Sequence, residues 1–224
     1  YSEFYEMRHF AAAPDEIMYV EFLGQKVPFG TNVLIKDKNI PEFVLGVEIC
    51  EDLWTVIPPS SRHALAGATV IANLSAGNEL IAKHEYRTEL IKTQSARLIS
   101  GYVYASAGEG ESTTDMVFAG NNMICENGTV LAESELFCNQ AVYSEIDLQK
   151  LIAERRKTTT YEMSGTNEYV TVNTEFELKK THLTRRFSQT PFVPNDGGER
   201  IKRCRRILMI QSMGLKKRLV HTGA

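Results

Sequence analysis

Val44-Leu-Gly-Val-Glu-Ile-Cys-Glu-Asp-Leu-Trp-Thr-Val-Ile-Pro-Pro-Ser60 carries a short β-branched run straight into an isolated cysteine flanked by carboxylates. Residues 44–49 are predicted to form a buried strand, and Pro58 and Pro59 close the segment before Ser60, which is expected to cap a helix. Cys50 then falls at a strand end, on the rim of a sheet, where substrates are usually met. A free cysteine is usually a small buried apolar residue. Its place here makes Cys50 the candidate nucleophile. Thiol attack on a carboxamide needs a base to remove the proton and donors to hold the developing oxyanion. The backbone N–H of Glu51, just past the strand end, suits the second task. Glu48, two residues back on the strand, shares the face of Cys50 by alternation and is a base by proximity.

Outward from this stretch the pattern is that of an α/β chain. Upstream, Ile17 to Phe22 and Thr31 to Ile35 are predicted as two strands, joined through a turn at Gly24 and another at Pro28 to Gly30, and Asp37 to Asn39 turns the chain toward Phe43. Tyr1 to Phe10 packs aromatics, acids and basic side chains into one decapeptide, either lining a site or closing over a core edge. Downstream, Ser60 to Ala66 reads as a short helix ended by Gly67, and Ala68 to Leu74 as the next buried strand, so parallel pairing is expected. Asn78 to Ser100 reads as an amphipathic helix ended by Gly101, and Tyr102 to Ala107 as a strand. Gly108 to Asp115 is a polar, glycine-containing loop, either a surface turn or a close approach to ligand. Glu126-Asn-Gly128 between Asn121–Cys125 and Thr129–Ala132 is a hairpin signal. Gln140 to Ile146 alternates as a further strand, Asp147 caps a helix to about Arg156, and Thr158 to Leu178 is mixed strand and loop.

The sequence has 224 residues, 43% of them hydrophobic, and a formal net charge of −3. That length accommodates one sizeable core, or one domain and a piece of another. The charge offers no footprint for nucleic acid, and no apolar run approaches a membrane span. Cys50, Cys125, Cys138 and Cys204 lie far apart with no C-x-x-C pair, which points to neither a metal site nor a disulfide framework and fits a reducing, cytoplasmic compartment. The start at Tyr1 has no signal-peptide pattern and reads as a chain entered part-way through. Thr181 to Gly198, with Pro191, Pro194 and Asp196-Gly-Gly198, has linker composition. A basic amphipathic helix is expected from Glu199 to about Val220.

Gly46-Val-Glu-Ile-Cys-Glu-Asp-Leu-Trp54 resembles the cysteine motif of the nitrilase, or carbon–nitrogen hydrolase, superfamily. Further blocks narrow the likeness: Tyr1-Ser-Glu-Phe-Tyr-Glu-Met-Arg-His-Phe10, Pro58-Pro-Ser-Ser61, Ala66-Gly-Ala-Thr-Val-Ile-Ala-Asn-Leu-Ser75, Ala107-Gly-Glu-Gly-Glu-Ser-Thr-Thr-Asp115 and Glu126-Asn-Gly-Thr-Val-Leu-Ala-Glu-Ser134. Together they resemble the glutaminase domain of the glutamine-dependent NAD synthetases, and Cys204 to Ala224 resembles the entry helix of that family's synthetase domain.

The resemblance implies a nitrilase-type α-β-β-α sandwich, incomplete at its N-terminal side: residues 1–180 for its C-terminal part, 181–198 for a linker, and 199–224 for the first helix of a second domain. It also implies Glu-Lys-Cys chemistry with Cys50 as nucleophile, a γ-glutamyl thioester and released ammonia. The family's base and lysine lie upstream of the block that starts at Tyr1, which leaves Glu48 a structural residue and Glu6 a supporting hydrogen-bond group. Glutamine contacts are implied at Tyr1, Glu51, Trp54, Gly77 and Lys83; the family often has a serine where this chain has Gly77. A carboxylate at Glu51 suits an α-ammonium and a cation at Lys83 an α-carboxylate. No metal site is expected here. ATP, Mg2+ and deamido-NAD are implied for the synthetase domain, whose Ser-Gly-Gly-x-Asp-Ser loop is not found in this sequence. Glutamine, that synthetase domain and further copies in a homo-oligomer are the partners the resemblance implies, and the chain alone is expected to be inactive. A stand-alone nitrilase-type amidase, or a non-catalytic scaffold of the same fold, are the other readings.

Overall fold

The computed structural model describes residues 9–14, 16–111, 116–187 and 189–223. Its first elements are β1 (Met18–Phe22) and β2 (Gln25–Phe29), an antiparallel hairpin turned by Leu23 and Gly24. Both turn residues have positive φ, 49° and 73°, the type I′ geometry that matches strand twist. Pro28 reads as a turn in the sequence, yet it lies within β2 opposite Tyr19. In a two-stranded ribbon its missing N–H faces no further strand.

The remaining elements follow as β3 (Val33–Asp37), β4 (Val44–Ile49), a 3-10 turn (Cys50–Trp54), α1 (Pro59–Leu65), β5 (Val70–Ser75), α2 (Lys83–Leu98), β6 (Gly101–Ser106), β7 (Met123–Glu126), β8 (Thr129–Glu133), α3 (Leu148–Lys157), a second 3-10 turn (Thr166–Glu168), β9 (Val170–Thr174) and α4 (Gly197–Thr222). Strands β3 to β9 form one mixed sheet in the order β8-β7-β6-β5-β4-β3-β9. At its centre β4, β5 and β6 run parallel, as the strand–helix–strand pattern requires. The register sets Gly46, Ile71 and Tyr102 in one row and Glu48, Asn73 and Tyr104 in the next. These rows face the helices: a Cβ on Gly46 would come within 2.8 Å of His63 on α1. The core lies there, around Leu53, Ala64, Ile71, Ile91, Leu98, Tyr102, Met123 and Cys125. On the alternate positions Val47, Ile49 and Leu74 are exposed.

Local chemistry departs from the sequence reading at several places. Ser60 does not cap α1; Pro58 holds the cap position with Pro59 in the first turn, and the Ser60 N–H donates to Glu48 Oε2 at 2.8 Å. Helix α2 begins at Lys83, not Asn78, after Ala82 in the left-handed region. It ends through Ile99, also left-handed, so Gly101 is not its stop but the first residue of β6. A side chain on Gly101 would meet Ile146 at 2.7 Å. Residues 140–146 form no strand: Ile146 packs at Gly101 of β6, and the Gln140 carbonyl accepts from Asn122 Nδ2 instead of joining a ladder.

Two buried side chains close the unit. Arg155 of α3 donates to the carbonyls of Leu98 and Ile99, left over at the end of α2, and to that of Ala68 before β5, at 2.7–3.0 Å. Asp37 accepts from the N–H groups of Asn39, Ile40 and Phe176 at 2.6–2.9 Å. Residues up to Thr184 make one compact unit and residues from Arg185 a second, which contains α4. Asp196 caps that helix, accepting from Glu199 N at 2.7 Å, and its basic residues are exposed.

Candidate active site around Cys50

Cys50 is the hinge between β4 and the 3-10 turn, with φ of 50°. A non-glycine residue in this region costs about 1–2 kcal/mol, so the surroundings have to hold it. Asn73, in the neighbouring strand, does so from both sides: its Oδ1 accepts from Cys50 N at 3.1 Å and its Nδ2 donates to Cys50 O at 3.4 Å. Asp52 Oδ2 accepts from Ile49 N at 2.8 Å and fixes the entry to the turn. The N–H of Glu51 stands in the first turn, where a helix has no acceptor of its own for its N–H groups.

The sulfur meets two hydroxyls in series. Ser75 Oγ donates to Cys50 Sγ at 3.5 Å, and Tyr104 OH donates to Ser75 Oγ at 2.6 Å. Burial pushes the Tyr104 phenol up from its ordinary value, so its proton stays in place. Glu48 is not a base for this thiol. It is 2% exposed, and its two oxygens accept from Tyr102 OH and from the first turn of α1. Burial, with the Glu48 carboxylate second, holds the Tyr102 phenol far above the usual tyrosine range. Alternation along β4 puts Glu48 and Cys50 on one face only if the strand continues, and the left-handed turn at Cys50 ends it.

Beside the thiol, Gly77, Trp54 and Lys83 converge. A Cβ on Gly77 would lie 3.7 Å from Ser75 Oγ and 3.9 Å from Lys83 Nζ, ordinary contacts that leave room for a side chain. Lys83 Nζ donates to Asn78 Oδ1 at 2.7 Å and sits 5.8 Å from the centre of the Trp54 ring, which itself packs on Tyr86 at 5.3 Å. Glu51 is exposed on the same 3-10 turn as Cys50 and Trp54. Tyr1 and Glu6 lie outside the described residues. The loop carrying Asn78 is anchored by a buried ion pair, Arg87 Nη1 to Glu79 Oε2 at 2.8 Å, with Arg87 also donating to Asn121 Oδ1 at 3.2 Å. Among the described residues no group of three or more His, Cys, Asp or Glu side chains is placed to hold a metal ion, and no helix is long and apolar enough to cross a membrane.

Asn73, Ser75 and Tyr104 are the site residues that sequence reading passes over. The signal was in Ala72-Asn-Leu-Ser75, where polar residues occupy alternate positions of a strand otherwise read as core. Such groups are kept in a core only when they are hydrogen-bonded.

No family model matches the chain. It is 39% identical to the glutamine-dependent NAD(+) synthetase of Mycobacterium tuberculosis over an alignment that covers 98% of this chain and 34% of the relative. The corresponding protein of Mycobacterium leprae matches to the same extent. A solved glutamine-dependent NAD(+) synthetase from Cytophaga hutchinsonii superposes with a TM-score of 0.50 at 29% identity, over 61% of this chain and 21% of that one. The chain spans about a third of the length of the curated relatives it matches. Its fold is α/β, built on one seven-stranded mixed sheet. Nearly the whole sequence thus aligns with part of the glutamine-dependent NAD(+) synthetases, the family that its motifs resemble.

Proposed function

We propose that this chain supplies the nucleophile and part of the substrate pocket for glutamine hydrolysis in a glutamine-dependent NAD(+) synthetase. The observation that carries the reading is the left-handed turn at Cys50, clamped by Asn73 and set beside Lys83 and Trp54. In this reading Cys50 Sγ, its proton taken by a base, bonds to the carboxamide carbon of glutamine. The C–N bond breaks, ammonia leaves with a proton returned by that base, and water then cleaves the γ-glutamyl thioester to glutamate. The Glu51 N–H takes the negative charge on the carbonyl oxygen as the tetrahedral intermediate forms. Lys83 faces the α-carboxylate, Glu51 the α-ammonium, Trp54 walls the pocket, and Gly77 contributes backbone. The resemblance adds Tyr1 as a glutamine contact and Glu6 as a supporting hydrogen-bond group, and assigns the base and partner lysine to positions upstream of Tyr1.

The ammonia would amidate deamido-NAD in an ATP- and Mg2+-dependent synthetase domain for which residues 199–224 form the entry helix, 181–198 the linker and 1–180 the glutaminase part. The residues described do not fit those groups: no carboxylate cluster is placed for a cation, and no phosphate-binding loop occurs in the sequence. Homo-oligomerisation and a cytoplasmic setting belong to the same proposal. The test is Cys50→Ala in the complete enzyme. Glutamine-driven NAD synthesis is lost while synthesis from added ammonia persists; loss of both would make Cys50 a structural residue.

A further inference from the structure

We propose that Ser75 is a catalytic residue, the hydrogen-bond donor to the Cys50 sulfur, and that Tyr104 is the positioning residue that aims it. The inference rests on Cys50 being the nucleophile. Ser75 has one hydroxyl hydrogen and two acceptor lone pairs, and so has to choose between its neighbours. Tyr104 settles the choice. Its phenol is buried, 2% exposed, and burial keeps it protonated, so it donates to Ser75 Oγ at 2.6 Å. With a lone pair of Ser75 occupied from below, the Ser75 hydrogen is directed at Cys50 Sγ, 3.5 Å away. Both hydroxyls stand on neighbouring central strands whose register is fixed by the β5–β6 ladder, so the series is preset before substrate arrives.

The donor favours charge on sulfur. When the S–H bond breaks and the proton goes to the general base, sulfur keeps the electron pair, and a hydroxyl pointed at it stabilises the thiolate over the thiol. A charge-assisted hydrogen bond is stronger than a neutral one, and each donor in a series polarises the next. Asn73 holds the backbone of Cys50 on the same strand as Ser75, so one strand fixes both where the sulfur stands and what it meets.

The experiment measures the rate at which iodoacetamide alkylates Cys50 in the complete protein, from pH 6 to 10, with the modified peptide resolved by mass spectrometry from those of Cys125, Cys138 and Cys204. The S–C bond forms and iodide leaves, with no glutamine involved. Ser75→Ala is expected to slow alkylation at neutral pH by about tenfold and to leave the high-pH plateau unchanged. Tyr104→Phe is expected to act in the same direction with a smaller factor, and Ser75→Thr, which keeps a hydroxyl, to restore the rate. Unchanged profiles in Ser75→Ala and Tyr104→Phe would overturn the proposal. A plateau lowered along with the neutral rate would also overturn it, since that marks lost positioning of the sulfur. Failure of the glutaminase reading shows separately, as labelling that glutamine does not protect.

Discussion

Asn73 decides whether Cys50 can remain in its left-handed conformation. Its single amide serves both the N–H and the carbonyl of that residue, so Asn73→Ala removes two hydrogen bonds and leaves backbone groups without their partner. The expected loss of stability is about 2–3 kcal/mol, read from urea denaturation, with kcat for glutamine-driven synthesis falling more than KM rises. Lys83 acts differently. It makes no contact with the sulfur and sits over Trp54, so Lys83→Ala is expected to raise KM for glutamine more than it lowers kcat; an unchanged KM would remove it from the pocket. His63 is a third case. It is 2% exposed, its Nε2 lies 3.1 Å from Val47 O and its Nδ1 2.8 Å from Tyr169 OH, and burial lowers its pKa below the usual histidine value. The unfolded chain therefore binds the proton more readily. His63 contributes stability that is fully present above about pH 6.5 and is lost as pH falls below it. Denaturation midpoints followed from pH 8 to 5.5 should fall less steeply in His63→Gln than in the unaltered protein.

Elements were legible in the sequence wherever their signal was local. The Cys50 strand, the Glu126-Asn-Gly128 hairpin, with φ of 45° at Asn127 and 82° at Gly128, and the Asp147 cap on α3 all rest on neighbours in sequence. Signals that depend on what lies across space were not legible. Gly101 looks like a helix stop because its true reason, the close approach of Ile146, comes from a distant segment. Residues 140–146 alternate like a strand, yet Ile146 packs at Gly101 while Tyr143 stays exposed and no ladder forms. Ser60 looks like a cap because the group that serves its N–H, Glu48, belongs to another element. The site divides the same way: Cys50, Glu51 and Trp54 follow from one motif, whereas Asn73, Ser75 and Tyr104 emerge only once β5 and β6 stand beside β4. Arg155 shows the energetic weight of such remote partners. Arg155→Met keeps most of the stem packing and abandons three carbonyls, for an expected cost of about 3 kcal/mol, measurable by thermal unfolding while the alkylation rate of Cys50 is retained.

At the scale of the whole molecule the chain divides after Thr184. Lys179, Lys180 and Arg186 are exposed in irregular backbone near that point, while the basic residues of α4 are held in a helix. Limited trypsin digestion is expected to cut first between residues 179 and 186, yielding a resistant product that ends there; first cuts within α2 or α3 would contradict the division. The larger unit also has an order of completion. Strand β3 is synthesised well before its parallel neighbour β9, the last in sequence of the described strands. Until residues 169–176 are synthesised, His63 lacks the Tyr169 hydroxyl and Asp37 lacks the Phe176 N–H. A nascent chain that stalls before this point therefore carries β3 as an open edge beside the strand of Cys50, exposed to chaperones and proteases. Pairing of β9 is thus expected to come late in synthesis, covering the edge that β3 leaves open among the described strands.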